Sequence, residues 1–173
     1  MSKVKKVNLD TVELATLIKS LRTFSTNVQK LPKEITKEVA DTGLEYLQDL
    51  YGRTYYDETI DMSDLRCEVI ETANGHSIVA SSKEILYAEF GTGEEGADSP
   101  HPMKSEFDLN AYNSGQYVSR NINESGRHYW FYNNIYSEGN ASGRQMFDTS
   151  EFLKKNVVKK VLKEKVGEVI SKV

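Results

Sequence analysis

Glu89, Glu94, Glu95, Asp98 and His101 are the residues whose types and crowding could do chemistry. Several carboxylates close together suit a hard cation, but this spacing matches no EF-hand loop. A zinc site would want more His or Cys. Through the same stretch runs Gly91-Thr92-Gly93-Glu94-Glu95-Gly96, with the glycine density of a phosphate loop. It lacks the Gly-Lys-Ser/Thr ending that sets a cation and a magnesium ligand on phosphates, and its two glutamates would repel the anion. A structural turn is the better reading. His76, His101 and His128 are isolated from one another. There is no Gly-x-Ser-x-Gly elbow. Cys67 falls in a strand pattern, where a small buried residue is the ordinary role. The chain therefore reads as no enzyme, with no metal and no cofactor. A metal-dependent hydrolase built on the acid cluster is the lesser alternative.

The elements that must position these residues follow from periodicity. Apolar residues recur at three- and four-residue steps over residues 9–28 (Leu14, Leu17, Ile18, Leu21, Phe24, Val28), which is one stripe of a helix. Asn8 or Asp10 would cap it. Pro32 interrupts, as a residue suited to a first helical turn. A second helix reads over residues 33–51, with Ile35, Val39, Gly43, Tyr46, Leu47 and Leu50 on its stripe and Gly52 at its end. Gly43 costs helix stability and would let another element come close. Residues 53–64 are polar and loop-like. Residues 65–73 and 76–82 form a hairpin about an Asn74-Gly75 type I′ turn, which pairs Val69 with Ala80 and Ile70 with Val79. Both its faces carry apolar residues, so both are expected to be covered. Residues 85–90 form a short helical turn or a strand, and residues 91–126 show no period. A loop of that length is usually functional or disordered. Residues 127–134 are an aromatic strand and residues 135–142 a turn region. Ser142 with Gln145 fits a capping box before a long helix with Leu153, Val157, Val161, Val166, Val169/Ile170 and Val173 on one stripe.

The expected fold is α+β in a single domain, 1–173. Two N-terminal helices precede a small antiparallel sheet made of a hairpin and an aromatic strand. A long C-terminal helix packs on that sheet. The 38% apolar fraction is low for a compact monomer, so neighbouring subunits would supply part of the stability. Charge is segregated. Residues 1–33 carry seven basic and two acidic side chains, a net of +5. Residues 34–143 carry seven and twenty, a net of −13, and residues 144–173 carry eight and four, a net of +4. Such asymmetry makes identical subunits attract head to side. The N-terminus has no apolar stretch behind its charges and does not read as a signal peptide. No run approaches a membrane span.

Basic helices and the run Tyr129-Trp130-Phe131-Tyr132 also suggest a nucleic-acid-binding module, with aromatics as stacking platforms. Four aromatics in a row must point both ways from a strand, however, and a pI near 5.5 argues against a strong electrostatic footprint.

The order of these elements resembles the tail-completion or head–tail joining (neck) family of tailed bacteriophages, related to minor tail protein Z of lambda-like phages. The segment Tyr87-Ala88-Glu89-Phe90-Gly91-Thr92-Gly93 is similar to that family's Tyr-Ala…Glu-x-Gly-Thr-Gly signature. Ser99-Pro100-His101-Pro102 resembles an Asn-Pro-His-Pro element of some members, and a variable loop and an aromatic strand follow in the family's order. The last helix begins at Gly143-Arg144-Gln145-Met146-Phe147, where the family's usual Pro-Phe is absent.

The resemblance implies a non-catalytic virion protein of the neck or upper tail, made in the host cytoplasm. It implies self-assembly as a ring, commonly a hexamer, around the DNA channel. Its partners would be the tail terminator, tail tube or head connector, with DNA passing through unbound and no membrane involved. The candidate assembly residues are then Tyr87, Glu89, Phe90, Gly91, Thr92, Gly93, Tyr129, Trp130, Phe131, Tyr132, Met146 and Phe147. Loop 91–126 would order on assembly. Residues 84–108 carry seven acids and one Lys, and facing the lumen they would keep DNA from sticking.

Overall fold

A computed structural model describes residues 11–56, 58–106, 121–122, 128–132 and 134–171. The expectations for Asn8, Asp10, Val173 and half of loop 91–126 lie outside these residues.

The chain is α+β, and its first element corrects the sequence reading. One helix, α1 (Thr11–Arg53), runs through Pro32 where two helices were expected. The reason is phase. Leu14 and Leu50 are 36 positions apart, ten turns at about 3.6 residues each, so the two stripes are one stripe. Pro32 cannot donate to the carbonyl of Val28. Both residues lie on exposed helix surface, where water can take that carbonyl. Gly52 sits inside the last turn, and Thr54 N–H still donates to the Leu50 carbonyl at 3.1 Å.

The hairpin β1 (Arg66–Thr72) and β2 (Gly75–Ser81) forms as expected, but in a register shifted by two residues. Val69 pairs with Ile78 and Cys67 with Ala80, around Ala73 and Asn74. Gly75 is spent on close approach instead of on the turn. With φ +141° it lies against Thr36 of α1, where a Cβ would sit 2.7 Å from the threonine Oγ1. Thr36 Oγ1 also shares a 3.1 Å hydrogen bond with His76 Nδ1, and Lys33 pairs with Glu71 at 2.6 Å. The hairpin tip is thus pinned to the helix. A two-residue slip preserves the faces, so Cys67, Val69, Ile78 and Ala80 still lie together. Only that face is covered; on the other, Ile70 is 40% exposed.

The aromatic strand does not join the hairpin. It is the centre of a separate three-stranded sheet: β3 (Asn121–Ile122), β4 (His128–Tyr132) and β5 (Ile135–Ser137), in the order β3-β4-β5. The expected turn region at 135–142 therefore contributes a strand. The supposed aperiodic loop also contains regular structure. After α2 (Ile85–Phe90) come α3 (Gly93–Asp98) and a 3-10 turn, Lys104–Glu106.

The C-terminal helix is α4 (Gln145–Phe152), a π turn (Leu153–Val157) and α5 (Val158–Ser171). It packs against α1 and the hairpin. Its buried positions, Gln145, Thr149, Val157, Val161 and Val169, fall at multiples of four. A strict four-residue step drifts about 40° per repeat on an ideal helix, and the extra residue of a π turn takes drift back out. Ile170, placed on the stripe from sequence, is 62% exposed, while Val169 is buried. Gly43 is the crossing point: a Cβ there would lie 2.5 Å from Ile78 Cδ1 and 2.7 Å from Leu153 Cδ1. One turn on, Tyr46 stacks on Phe152 with ring centroids 4.1 Å apart. Lys165 reaches Glu38 at 2.8 Å. No helix of the described residues is long and apolar enough to cross a membrane.

Candidate functional site

The Tyr87–Gly93 segment and residues 138–147 meet backbone to backbone, and the glycines are what allow it. Thr92, fully buried, exchanges two bonds with Asn140: Thr92 N–H to the Asn140 carbonyl at 2.8 Å, and the return bond at 3.1 Å. Gly91 has φ +76°, and a Cβ on it would lie 2.6 Å from Ser142 N. Gly93 has φ +60° and faces the Glu138 carbonyl, while Gly139, φ +92°, faces the Thr92 carbonyl. Side chains at these three positions would collide with main chain, which cannot rotate away. The run that resembled a phosphate loop in composition is a backbone weld.

Glu89 is the acid at the centre of this weld, and it is 7% exposed. Its Oε2 accepts from Met146 N–H at 3.0 Å and its Oε1 from Phe147 N–H at 3.1 Å. These are orphan amides of the first turn of α4, and the helix dipole also favours a carboxylate there. The cap comes from 57 residues away in sequence. The local capping box expected at Ser142 and Gln145 is absent. Ser142 Oγ donates to the Glu89 carbonyl at 2.8 Å, and Arg144 holds the cap position in a left-handed conformation, φ 58°.

His101 closes the far side. Met103 N–H donates to its Nδ1 at 3.1 Å, so Nδ1 is the bare nitrogen and Nε2–H donates to Glu89 Oε1 at 3.1 Å. The imidazole lies 4.5 Å from the Phe90 ring and 5.6 Å from that of Phe147, centroid to centroid. The acid cluster seen in the sequence is thus taken apart. Glu89 and His101 are buried, whereas Glu95 and Asp98 point outward from α3. Among the described residues, no three His, Cys, Asp or Glu side chains gather in a way that could hold a metal.

Tyr87 faces the other way. It packs with Ile60, Tyr56, Met62 and Tyr132 in a small second core, its ring 5.1 Å from that of Tyr132. Burial and then the Glu84 carboxylate push the Tyr132 hydroxyl up to about 12. Glu84 itself is buried and accepts from Asp61 N–H. Gln145, 1% exposed, donates to Tyr56 Oη at 2.7 Å and to Thr54 Oγ1 at 3.1 Å. Burial, with Glu89 next in size, raises the Tyr51 hydroxyl well above its usual range.

Of the candidate residues, Tyr87, Glu89, Phe90, Gly91, Thr92, Gly93, Met146 and Phe147 come together. Tyr132 joins them through Tyr87. Tyr129, Trp130 and Phe131 lie on β4, and their side chains are outside the described residues. His101, read from sequence as part of the acid cluster, belongs to the same cluster, as do Gly139, Asn140, Ser142, Arg144 and Gln145, which the sequence does not mark as site residues. The available signal was a second cluster of glycines, Gly139 and Gly143, beside the one at 91, 93 and 96. No family model, no curated protein and no solved structure matches this chain.

Proposed function

We propose that the chain is a structural subunit of the neck or upper tail of a tailed bacteriophage. It completes the tail and helps join it to the head, as an oligomeric ring around the DNA channel. The supporting observation is the fate of Glu89. Both oxygens of the one acid in the Tyr-Ala-Glu-Phe-Gly-Thr-Gly signature are committed to α4 and His101. A signature used up in internal architecture suits a particle part better than a reaction centre. The same commitment weighs against a hydrolase, which would need that carboxylate free. Stability drawn from neighbours fits a chain that leaves Ile18, Leu21, Val28, Leu162 and Ile170 exposed.

A nucleic-acid module is the second reading, favoured by Lys159, Lys160 and Lys163, all exposed on α5. Electron microscopy of particles assembled without this protein separates the two. Unjoined heads and tails support the neck reading, and normally joined particles overturn it. Salt-dependent retention of the isolated chain on DNA would favour the second.

A further inference from the structure

From residue 15 to residue 34, α1 is an arm with no buried side chain. Its stripe is only partly covered: Ile18 is 43%, Leu21 53% and Val28 42% exposed, while Leu17, Phe24 and Leu31 are half-buried. Its charged residues are Lys19, Arg22, Lys30 and Lys33 against Glu34. At the opposite end of the same helix is a groove of about 350 Å³, lined by Tyr51, Tyr56, Met62, Leu65 and Cys67 among others. None of the lining residues is charged, but the chain that supplies Met62 and Leu65 also carries the exposed acids Glu58, Asp61 and Asp64, with Lys83 near Asp61 and Asp64. Tyr51 is 6% exposed, and its hydroxyl has no hydrogen-bond partner among the described residues.

We infer that the arm of one copy seats its apolar stripe in this groove of a second copy, with its basic residues beside Glu58, Asp61 and Asp64. The signs of charge complement each other, and both surfaces offer apolar area. An arm-to-arm contact would instead set like charges together. The arm cannot reach its own groove, because Leu21 and Tyr51 are 30 positions apart on one helix, about 45 Å at 1.5 Å per residue. The contact is therefore between chains. Because its two surfaces differ, it runs head to tail and either closes as a ring or propagates. This rests on the self-assembly part of the reading above and on none of its phage part.

The chain supplies its own probe, since Cys67 is the single cysteine and lines the groove. The full chain carrying Leu21→Cys is treated with a short bismaleimide at mildly alkaline pH, because burial raises the Cys67 thiol. Head-to-tail seating gives a ladder of trimers and higher species, which collapses to monomers when Cys67→Ser is added. Reversing the arm's charge with Lys19→Glu and Arg22→Glu lowers the ladder yield by about tenfold, the scale expected when close charge pairs are lost. An unchanged yield would overturn the acid-flanked groove as the seat. Dimers that persist in Cys67→Ser mean arm-to-arm contact and overturn the inference. The absence of any ladder also overturns it, and sedimentation of the untreated chain then decides the wider reading. An assembled chain leaves the ring standing on another surface, whereas a monomer counts against both.

Discussion

Between residues 40 and 51, α1 buries Ala40, Leu47 and Tyr51 beneath the hairpin and the C-terminal helix, whereas between residues 15 and 34 no side chain is fully buried. Both halves carry the same apolar stripe in the same phase. Periodicity therefore says which face of a helix would be covered, and only the rest of the chain says whether a cover exists. In the inner half the cover is specific: Gly43 admits Ile78 and Leu153, and Tyr46 stacks on Phe152. In the outer half, no described element of this chain buries the stripe.

The sharpest way to break this contrast is to make the same deletion in each half. Leu47→Ala, at a side chain with no exposure, is expected to cost about 2–5 kcal/mol in urea unfolding. A loss below 1 kcal/mol would mean that the inner half is not the core it looks like. Next comes the piece that holds the cover in place. Glu89→Gln leaves one acceptor oxygen for amides that now have two, and is expected to cost about 1–3 kcal/mol. Hydrogen exchange should then speed up over residues 40–51 and 145–153 and stay unchanged over 15–34. Gly43→Ala should follow at about 1 kcal/mol of net loss, because Ile78 and Leu153 must move aside. Gly167→Ala, where nothing lies within 4 Å, should instead gain up to about 1 kcal/mol from helix propensity. The smallest effect belongs to Leu21→Ala, which should fall within about 0.5 kcal/mol for the isolated chain. A larger loss under conditions where the chain is monomeric would show that the arm is already covered.

Much of the architecture was legible in the sequence because it is local. The stripes of α1 and the C-terminal helix, the hairpin and its two faces, and the role of Gly43 all rest on neighbours along the chain. Three misreadings share one cause. Pro32 reads locally as a boundary, although the stripe passes through it in phase. Asn74-Gly75 suits the turn by local preference, but Thr36, distant in sequence, claims Gly75. Ser142 and Gln145 looked like a capping box, but Ser142 is held by the Glu89 carbonyl and the cap comes from the Glu89 carboxylate. In each case a partner far along the chain, or a phase kept over many turns, overrode a rule that looks a few residues ahead. The candidate site was half legible for the same reason. Its first strip is a compact run, and its second, residues 138–147, has only glycine spacing to mark it.

The long-range cap also orders events in time. Phe147 finds its acceptor only when a loop of 58 residues has closed onto Glu89. Closure of such a loop must precede the reward of the contacts it brings together. On a growing chain, α1 and the hairpin are complete before α4 has been synthesised. The first turn of the C-terminal helix is then a late acquisition, and its amide protection in a pulse-labelled refolding experiment should trail that of the hairpin.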